Sequence, residues 1–379
     1  MSARTSSGPG ALTRVFGSQW FVSVLAVIIA FAIGAILIAL SGASVLDAYY
    51  AMFRGSIVDP NASTFVRQIK PLTDSLFYSI PLIISGLGLA LGFRAGLFNI
   101  GGKGQIIVGA LAAVWVGFAV NLPPVLHTLV ALLVAVIAGG LYAGIAGVLK
   151  AKTGANEVIV TIMLNSIATL GLGYTLAQKA WQVPGTNQPV TPKVAESAAL
   201  ARLLPAPFKL HVGFLVALVA LVAFWWLIER STLGFQIRAV GANAAAARTA
   251  GISVERITAI TMVLSGAFLG LAGANEALGT IGYVSRDVAG SIGFDAITVA
   301  LLGRNKTWGT FGAGLLFGAF KAGGYTMQAK GVPIDMILIL QSVIVLLIAA
   351  PALVRWLFRL PDARALAART RKGDADEHK

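Results

Sequence analysis

Long, uninterrupted apolar runs are the feature that most limits what this chain can fold into. Most of them approach the roughly 20 residues that a helix needs to cross a bilayer, and they lack the alternation of a membrane β-barrel. Only 12% of the residues are charged and 57% are hydrophobic, whereas a soluble domain carries about 25% charged residues. The sequence therefore predicts an all-α polytopic membrane protein with about ten transmembrane helices. The candidate spans are Trp20–Leu40, Leu76–Phe93, Ile106–Val120, Leu126–Leu149, Val158–Leu176, Val212–Ile228, Ile257–Leu278, Phe294–Leu302, Gly309–Gln328 and Pro333–Val354.

The layout of these spans predicts inverted repeats. The blocks Leu76–Leu176 and Ile257–Val354 hold four candidate spans each. Because a single span separates the two blocks, they enter the membrane from opposite sides, an arrangement typical of transporters. Phe294–Leu302 is too short to cross the membrane as a regular helix, so we expect it to join the preceding Gly-rich stretch as a broken segment.

The distribution of basic residues predicts the orientation. With the N-terminus in the cytoplasm, most of the 29 Lys and Arg residues lie in short inside loops and in the tail after Val354, as the positive-inside rule requires. The long loops Ser41–Ser75 and Ala177–His211 then fall outside. We expect a cytoplasmic N-terminal tail at 1–19, a transmembrane domain at 20–354 and a charged cytoplasmic tail at 355–379. This rule also explains the net charge of +14, so no nucleic acid polymer is expected as a partner.

The inventory of reactive side chains predicts no catalytic site, no metal site and no cofactor. The chain has no cysteine, which excludes disulfides and thiolate ligands. No nucleophile elbow or ATP-binding loop is present in the sequence. The histidines lack metal-ligand spacing; they are His127, His211 and His378. The absence of cysteine and the large outside loops fit a bacterial inner membrane.

A glycine-rich stretch, RAGLFNIGGKGQ, covers Arg94–Gln105. Four glycines and Asn99 break a helix and leave backbone groups unpaired, which at membrane depth is tolerated only inside protein or along a water-filled path. Two interpretations remain open on the residues alone. The stretch is either a broken helix beside a translocation path or a tight turn whose glycines serve packing.

Polar residues also mark the start of the span at Val158–Leu176. Asn156 is a possible helix cap, and Asn165, about two turns further on, needs a polar partner or water. Glu157 is favoured as an interfacial anchor or interhelical partner over a substrate ligand.

Three further ionisable residues lie near or within spans: Glu276, Asp295 and Lys321. Charge inside a membrane is costly and is a candidate functional site by default. For Glu276 and Asp295, which lie close to the outer surface in the predicted topology, simple hydration is the competing explanation. Lys321 lies deeper and would be explained by an ion pair with a carboxylate, whereas three scattered charges make a poor proton relay.

The segment Gly234–Ile257 is basic and rich in alanine, and it separates two strongly apolar runs. Asn243 can cap a short helix, Ala244 to Ala247 favour helix, and Gly251 would end it. Such a slim cytoplasmic helix predicts a docking surface for a partner protein, with an ordinary loop helix as the alternative.

Four motifs in this order and spacing resemble the permease subunits of ABC importers, in the branch that serves nucleosides and simple sugars. The resemblance covers about Ala48–Pro351. The motifs are GLFNIGGKGQ, GANEVIVTIMLN, RAVGANAAAARTAGI and FDAITVALLGRNKTWGTFGAGLLFGAF. The resemblance implies ATP-binding subunits, a second related permease subunit and an extracytoplasmic substrate-binding lipoprotein.

The resemblance also assigns roles to residues. It implies a coupling loop at 229–256 that contacts the ATPase through Arg238, Gly241, Asn243, Ala246, Ala247 and Gly251. The family's turn maps onto Asn99, Ile100, Gly101, Gly104 and Gln105, with Lys103 where relatives often carry an acid. As translocation-path residues we predict Asn99, Gly101, Gly104, Gln105, Glu157 and Asn165.

The predicted function is therefore that of a permease subunit, embedded in membrane lipid, which moves a small molecule across the plasma membrane. It has no enzymatic activity of its own. ATP hydrolysis on the partner would move the coupling loop and switch access between the two sides. A nucleoside or purine is the expected cargo and a simple sugar the second candidate, because the path holds polar uncharged groups. The alternative from a different class is an ion-coupled secondary transporter that acts without an ATPase and uses Glu276.

Overall fold

The computed structural model describes residues 19–40, 42–329 and 331–333, together with 338–339, 342–343 and 346–347. In these ranges the regular structure is helical, and strand pairing is limited to one isolated bridge between Arg202 and His211. The helices are α1 Gln19–Leu40, α2 Val45–Ser56, α3 Phe65–Arg94, α4 Gly102–Ala119, α5 Leu126–Thr153, α6 Glu157–Ala177, α7 Gly213–Arg230, α8 Thr232–Ala242, α9 Ala244–Thr249, α10 Val254–Asn275, α11 Ile292–Leu302 and α12 Thr307–Gln328. A 3-10 turn, Lys179–Trp181, follows α6, and a π-helical turn, Glu276–Ile281, extends α10. The predicted all-α class is confirmed.

Six of the described helices are long and apolar enough to cross a membrane, or seven if the bent pair α1 and α2 is one broken span. The six are α3, α4, α5, α6, α7 and α10 with its π-helical turn. The predicted number of about ten is therefore not confirmed. The helix α12 has sufficient length, but glycines, threonines and Lys321 lower its hydropathy, and α11 is short. The predicted span Pro333–Val354 lies mostly outside the described residues.

Helix bounds agree with the predicted spans to within a few residues, except at the start of α3. The stretch Ser41–Ser75 was expected as a long outside loop, and the expectation of a loop was wrong. It holds α2 and the first three turns of α3. Hydropathy overlooks these turns because they are polar. A Lys70–Asp74 ion pair at helical i,i+4 spacing is compatible with helix there.

The chain divides into two compact units, of which Met52–Gly323 is the larger. In this unit α3 is the most buried span, with 83% of its apolar stretch inside the protein against 28% for α6. The outer faces of α5 and α6 carry exposed apolar side chains such as Leu133 and Leu170. These faces suit contact with lipid tails, since lipid is as apolar as the side chains themselves.

A seam of glycines joins α4, α5 and α10 in the larger unit. A Cβ atom on Gly270 would lie 2.2 Å from the carbonyl oxygen of Ala135, and one on Gly109 would lie 2.4 Å from the Gly270 Cα. The three backbones are therefore in direct contact, as is common where membrane helices meet through small residues.

The short helix α11 begins beside the start of α4. A Cβ atom on Gly293 would lie 2.4 Å from the backbone nitrogen of Lys103. With 11 residues and a rise of about 1.5 Å per residue, α11 is about 16 Å long, or half the thickness of a hydrocarbon core. The expectation that Phe294–Leu302 is too short to cross alone as a regular helix is confirmed.

Candidate functional site

The turn between α3 and α4 is organised by the side chain of Asn99, which is 1% exposed. Its Nδ2 donates to Gln105 Oε1 and to Ser265 Oγ, both at 3.0 Å. Its Oδ1 accepts from Gly101 N at 2.9 Å and from Gln105 Nε2 at 3.0 Å. An amide side chain has two donors and two acceptor lone pairs, so Asn99 uses its full hydrogen-bonding capacity within the protein.

A second asparagine holds the same turn from α6. Asn165 Nδ2 donates to the Ile100 carbonyl and its Oδ1 accepts from Gly104 N, both at 2.8 Å. One turn earlier, Thr161 Oγ1 accepts from Ile100 N at 3.2 Å. A Cβ on Gly104 would lie 3.1 Å from the Asn165 oxygen, so this close approach depends on the glycine.

We call Asn99, Gln105, Thr161, Asn165 and Ser265, with the backbone of 100–104, the turn network. It pairs the backbone groups that the break between α3 and α4 leaves free, which a buried break requires. The structure thus brings the predicted Asn99, Gly101, Gly104, Gln105 and Asn165 together. Thr161 and Ser265 were missed, although each is a polar residue in an apolar helix. The role of the predicted residues along a translocation path stays a prediction, because the hydrogen bonds of both asparagines run to other groups of the protein.

Glu157 lies at the edge of the turn network, at the start of α6. Its Oε2 forms an ion pair with Lys150 Nζ at 3.0 Å, and its side chain is 13% exposed. Asn156 caps the helix, since its Oδ1 accepts from Val158 N at 2.9 Å. The interpretation of Glu157 as an interhelical partner agrees with this contact between the end of α5 and the start of α6.

The short helix predicted within Gly234–Ile257 is confirmed as α9. Asn243 Oδ1 accepts from Ala246 N at 3.0 Å, which caps the helix as expected. Gly251 follows the end of α9 with φ +83°, a left-handed conformation that favours glycine. We call α8, α9 and the residues up to Gly251 the α8–α9 segment.

The α8–α9 segment lies directly against the end of α3. A Cβ atom on Gly241 would lie 2.1 Å from the carbonyl oxygen of Arg94 and 3.0 Å from the carbonyl carbon of Ala95. Arg94 is fixed further by Nε, which donates to the carbonyl of Asn305 at 2.7 Å. Because Asn99 follows Arg94 by five residues, the segment and the turn network are joined through a short stretch of backbone.

Two depressions flank the α8–α9 segment. One is an apolar groove of about 570 Å³ that Asn243, Ala246 and Ala247 help to line. The other, of about 780 Å³, is basic: Arg94, Arg230, Arg238 and Lys306 line it with Glu229. Arg238 Nη1 is buried and lacks a hydrogen-bond partner in the described part of the chain. Within those same ranges, no group of three or more His, Asp or Glu residues could hold a metal ion.

Comparison with known proteins decides the family. A family described as branched-chain amino acid transport system / permease component matches residues 72–349. The chain belongs to this permease family. It is 40% identical over 349 residues to the guanosine ABC transporter permease protein NupP of Bacillus subtilis, covering 89% of the chain and 95% of that protein.

Two further relatives agree with this assignment. The glucose ABC transporter permease protein TsgB13 of Haloferax volcanii is 36% identical over 85% of this permease and 85% of its own length. The nucleoside ABC transporter permease protein NupB of Lactococcus lactis is 31% identical over 92% of this permease and 94% of its own length. No solved structure matches the chain.

The protein is therefore the permease subunit of an ABC transporter, and it is a multi-pass membrane protein. ATP is hydrolysed on separate subunits, and a substrate-binding protein belongs to a system of this kind. The alternative of an ion-coupled secondary transporter finds no support, because the relatives named above are permeases of ABC transporters. Nothing therefore supports Glu276 as the ion-coupling carboxylate of that alternative.

Proposed function

We propose that the permease imports a nucleoside or a simple sugar. The three relatives named above are permeases for guanosine, glucose and nucleosides. These cargoes are neutral and rich in hydroxyl groups. They suit a protein whose membrane-embedded polar residues are mostly Asn, Thr and Ser rather than paired charges.

The proposed setting is a bacterial inner membrane with both termini in the cytoplasm. The tails at 1–19 and 355–379 flank the permease domain at 20–354, whose roughly ten segments include broken ones and form inverted repeats. The positive-inside distribution supports this orientation. The helices α4 and α11 are each the second candidate span of their block, and they begin side by side. This arrangement supports a broken segment in both blocks.

In the proposed complex, the loop at 229–256 is the coupling loop. Its residues Arg238, Gly241, Asn243, Ala246, Ala247 and Gly251 would contact or shape the surface for the ATP-binding subunits. A second related permease subunit completes the channel, and a substrate-binding lipoprotein delivers the cargo. The apolar groove beside α9 supports docking, because it offers a concave surface next to exposed small side chains.

The contact between Gly241 and the Arg94 carbonyl is the observation that carries the mechanism. Movement of the coupling loop pushes directly on backbone, since no side chain lies between the two segments. The turn network then carries this displacement to α6 and α10 through Asn165 and Ser265. We propose that the break at Asn99–Gln105, with Glu157 at its edge, lies beside the translocation path and shifts as access alternates.

A pair of variants separates docking from transmission. Ala246→Arg places a bulky charge on the exposed face of α9 and should prevent ATP-binding subunits from co-purifying in mild detergent. Gly241→Ala leaves that face intact but forces the loop away from Arg94. It should therefore retain the ATP-binding subunits and ATP hydrolysis while uptake of cargo falls by at least about tenfold, or about 1.4 kcal/mol.

The matched control is Ala201→Arg, an exposed alanine in the loop before α7, which should behave as wild type. If Ala246→Arg retains its ATP-binding subunits and full uptake, the coupling loop lies elsewhere. If Gly241→Ala transports normally, the contact with Arg94 does not transmit the movement.

A further inference from the structure

Three ionisable side chains have no role in the proposed coupling mechanism: Glu276 in the π-helical turn, Asp295 on α11 and Lys321 on α12. Ionisable residues inside membrane proteins are costly and mark substrate or ion pathways. The ion-coupled alternative, which would have used Glu276, is unsupported. The contacts that Glu276, Asp295 and Lys321 lie close to along α3 show how the three side chains are arranged in space.

Contacts with α3 give the level of two of these charges along that helix. A Cβ on Gly318 would lie 2.7 Å from Ser79, and Lys321 follows Gly318 by about one turn. A Cβ on Gly86 would lie 2.8 Å from Val299, and Asp295 precedes Val299 by about one turn.

Glu276 reaches the same level through His211. The His211 ring packs edge-on against Phe77 of α3, with centroids 5.4 Å apart. A Cβ on Gly279 would lie 2.4 Å from the same ring, and Glu276 precedes Gly279 by about one turn. The three charges therefore lie within a layer about two turns of α3 deep, at the end of its apolar stretch that the predicted topology places outside.

The three ionisable side chains do not pair with one another directly. Within the part of the chain that the structure describes, neither Glu276 nor Asp295 forms an ion pair with Lys321 within 4.0 Å. Ser291 Oγ donates to Asp295 Oδ2 at 2.6 Å, which leaves further acceptor sites on that carboxylate.

Beside this layer lie buried polar atoms that the described protein does not satisfy. Asn275 is 0% exposed, and both its Oδ1 and its Nδ2 lack a partner there. His211 Nε2 is likewise unpartnered, and a Cβ on Gly213 would touch both side chains, 2.2 Å from Asn275 Nδ2 and 2.5 Å from His211 Cε1. Buried polar groups are normally hydrogen-bonded, so a site with several free donors and acceptors points to a polar guest.

The backbone at this place is also unusual. The π-helical turn Glu276–Ile281 follows Asn275 directly, and π-turns inside α-helices are frequent at functional sites. His211 Nδ1 accepts from Gly213 N at 3.1 Å, so the proton of the neutral ring lies on Nε2, which acts as a donor.

We propose that Glu276, Asp295 and Lys321, together with Asn275, form a cargo-recognition site in the outer half of the permease that binds a neutral vicinal diol. The inference rests on the proposed import of nucleosides or sugars. Each carboxylate can accept hydrogen bonds from two neighbouring hydroxyl groups, as in the ribose of guanosine or the ring of glucose. The ammonium of Lys321 and the amide of Asn275 donate to oxygen atoms of the same guest.

The charge of the site adds selectivity. Two acidic side chains stand beside one ammonium, so an anionic group on the cargo would meet more acid than base in this site. Phosphorylated cargo and carboxylate-bearing amino acids are therefore repelled, whereas neutral polyols pay no such electrostatic cost. Nucleosides should enter and the corresponding nucleotides should be excluded.

The test uses the complete transporter, with its ATP-binding subunits, partner permease and binding protein, reconstituted in liposomes. Uptake of guanosine and of 2′-deoxyguanosine is measured for wild type and for Glu276→Gln, with Glu196→Gln, an exposed loop residue, as the matched control. Wild type should have a KM about 10- to 100-fold lower for guanosine, because charge-assisted hydrogen bonds to a diol are lost with the deoxy compound. In Glu276→Gln this preference should shrink to a few-fold, whereas Glu196→Gln should keep the wild-type preference.

Several results would overturn the site and leave the permease function standing. One is an unchanged preference for the diol in Glu276→Gln, Asp295→Asn and Lys321→Met. Another is equal uptake of guanosine and guanosine monophosphate. A complex that hydrolyses ATP in response to its binding protein but imports neither guanosine nor glucose would instead contradict the proposed function on which the site rests.

Discussion

Replacing Asn99 with alanine tests the turn network most severely. The change removes four hydrogen bonds and leaves Gly101 N, Ser265 Oγ and the Gln105 amide without their partner. In water-soluble proteins an orphaned buried group costs about 1–3 kcal/mol, whereas hydrogen bonds between membrane helices average about 0.6 kcal/mol. Because three partners are orphaned together and alanine admits no replacement donor, we expect a loss of about 2–4 kcal/mol.

The assay is reversible unfolding of the purified permease in mixed detergent micelles, with Asn187→Ala as the matched control. Asn187 is exposed in a loop, so its replacement should change stability by less than about 0.5 kcal/mol. A double-mutant cycle of Asn99→Ala with Gln105→Ala should give a coupling energy of about 1–2 kcal/mol, since the two amides pair reciprocally. If Asn99→Ala is as mild as the control, the network does not stabilise the break between α3 and α4.

Three further predictions concern packing, capping and pH. Gly270→Ala should destabilise the permease by about 3 kcal/mol, because the added Cβ would meet the Ala135 backbone. The control Gly173→Ala, which has open space around it, should be neutral or stabilising by up to about 1 kcal/mol. Thermal unfolding compares the two variants, and equal effects would contradict close packing at the glycine seam. Asn243→Ala should weaken binding of the ATP-binding subunits about fivefold, because it removes a helix cap worth about 1 kcal/mol. Asn243→Ser, which can still cap the helix, should bind them normally. An equal loss of affinity in both variants would contradict a capping role. Burial lowers the pKa of His211 to about 4. As the pH falls, the unfolded chain is protonated at His211 before the folded protein, so stability should fall by about 3 kcal/mol between pH 6.5 and pH 4. Unfolding measured against pH should lose this fall in His211→Gln, and an unchanged profile would contradict a buried, neutral His211.

The helices could be predicted because their signals are local. Continuous apolar runs fixed bounds such as Val158–Leu176 to within one residue of α6. The cap at Asn243 was also predictable, since a capping side chain bonds only three residues along the chain. The polar turns at the start of α3 were missed because hydropathy identifies apolar helix and overlooks charged helix.

The contacts of the candidate site could be predicted only in part. Sequence reasoning found that Asn99 and Asn165 need partners, but not which ones, because Asn99 and Ser265 are 166 residues apart. Nor does any periodicity indicate that Gly241 rests on the Arg94 carbonyl or that Glu276, Asp295 and Lys321 share one layer. Those relations arise from packing between helices that are remote in the sequence.

Site-specific cross-linking tests whether the α8–α9 segment contacts the ATP-binding subunit. The chain contains no cysteine, so Ala246→Cys creates a unique attachment point, and Ala201→Cys is the matched control. With a short bifunctional reagent, we predict a covalent product between Cys at 246 and an ATP-binding subunit, and none from position 201. If position 246 gives no cross-link in a complex that still hydrolyses ATP and transports cargo, the α8–α9 segment is not the coupling loop.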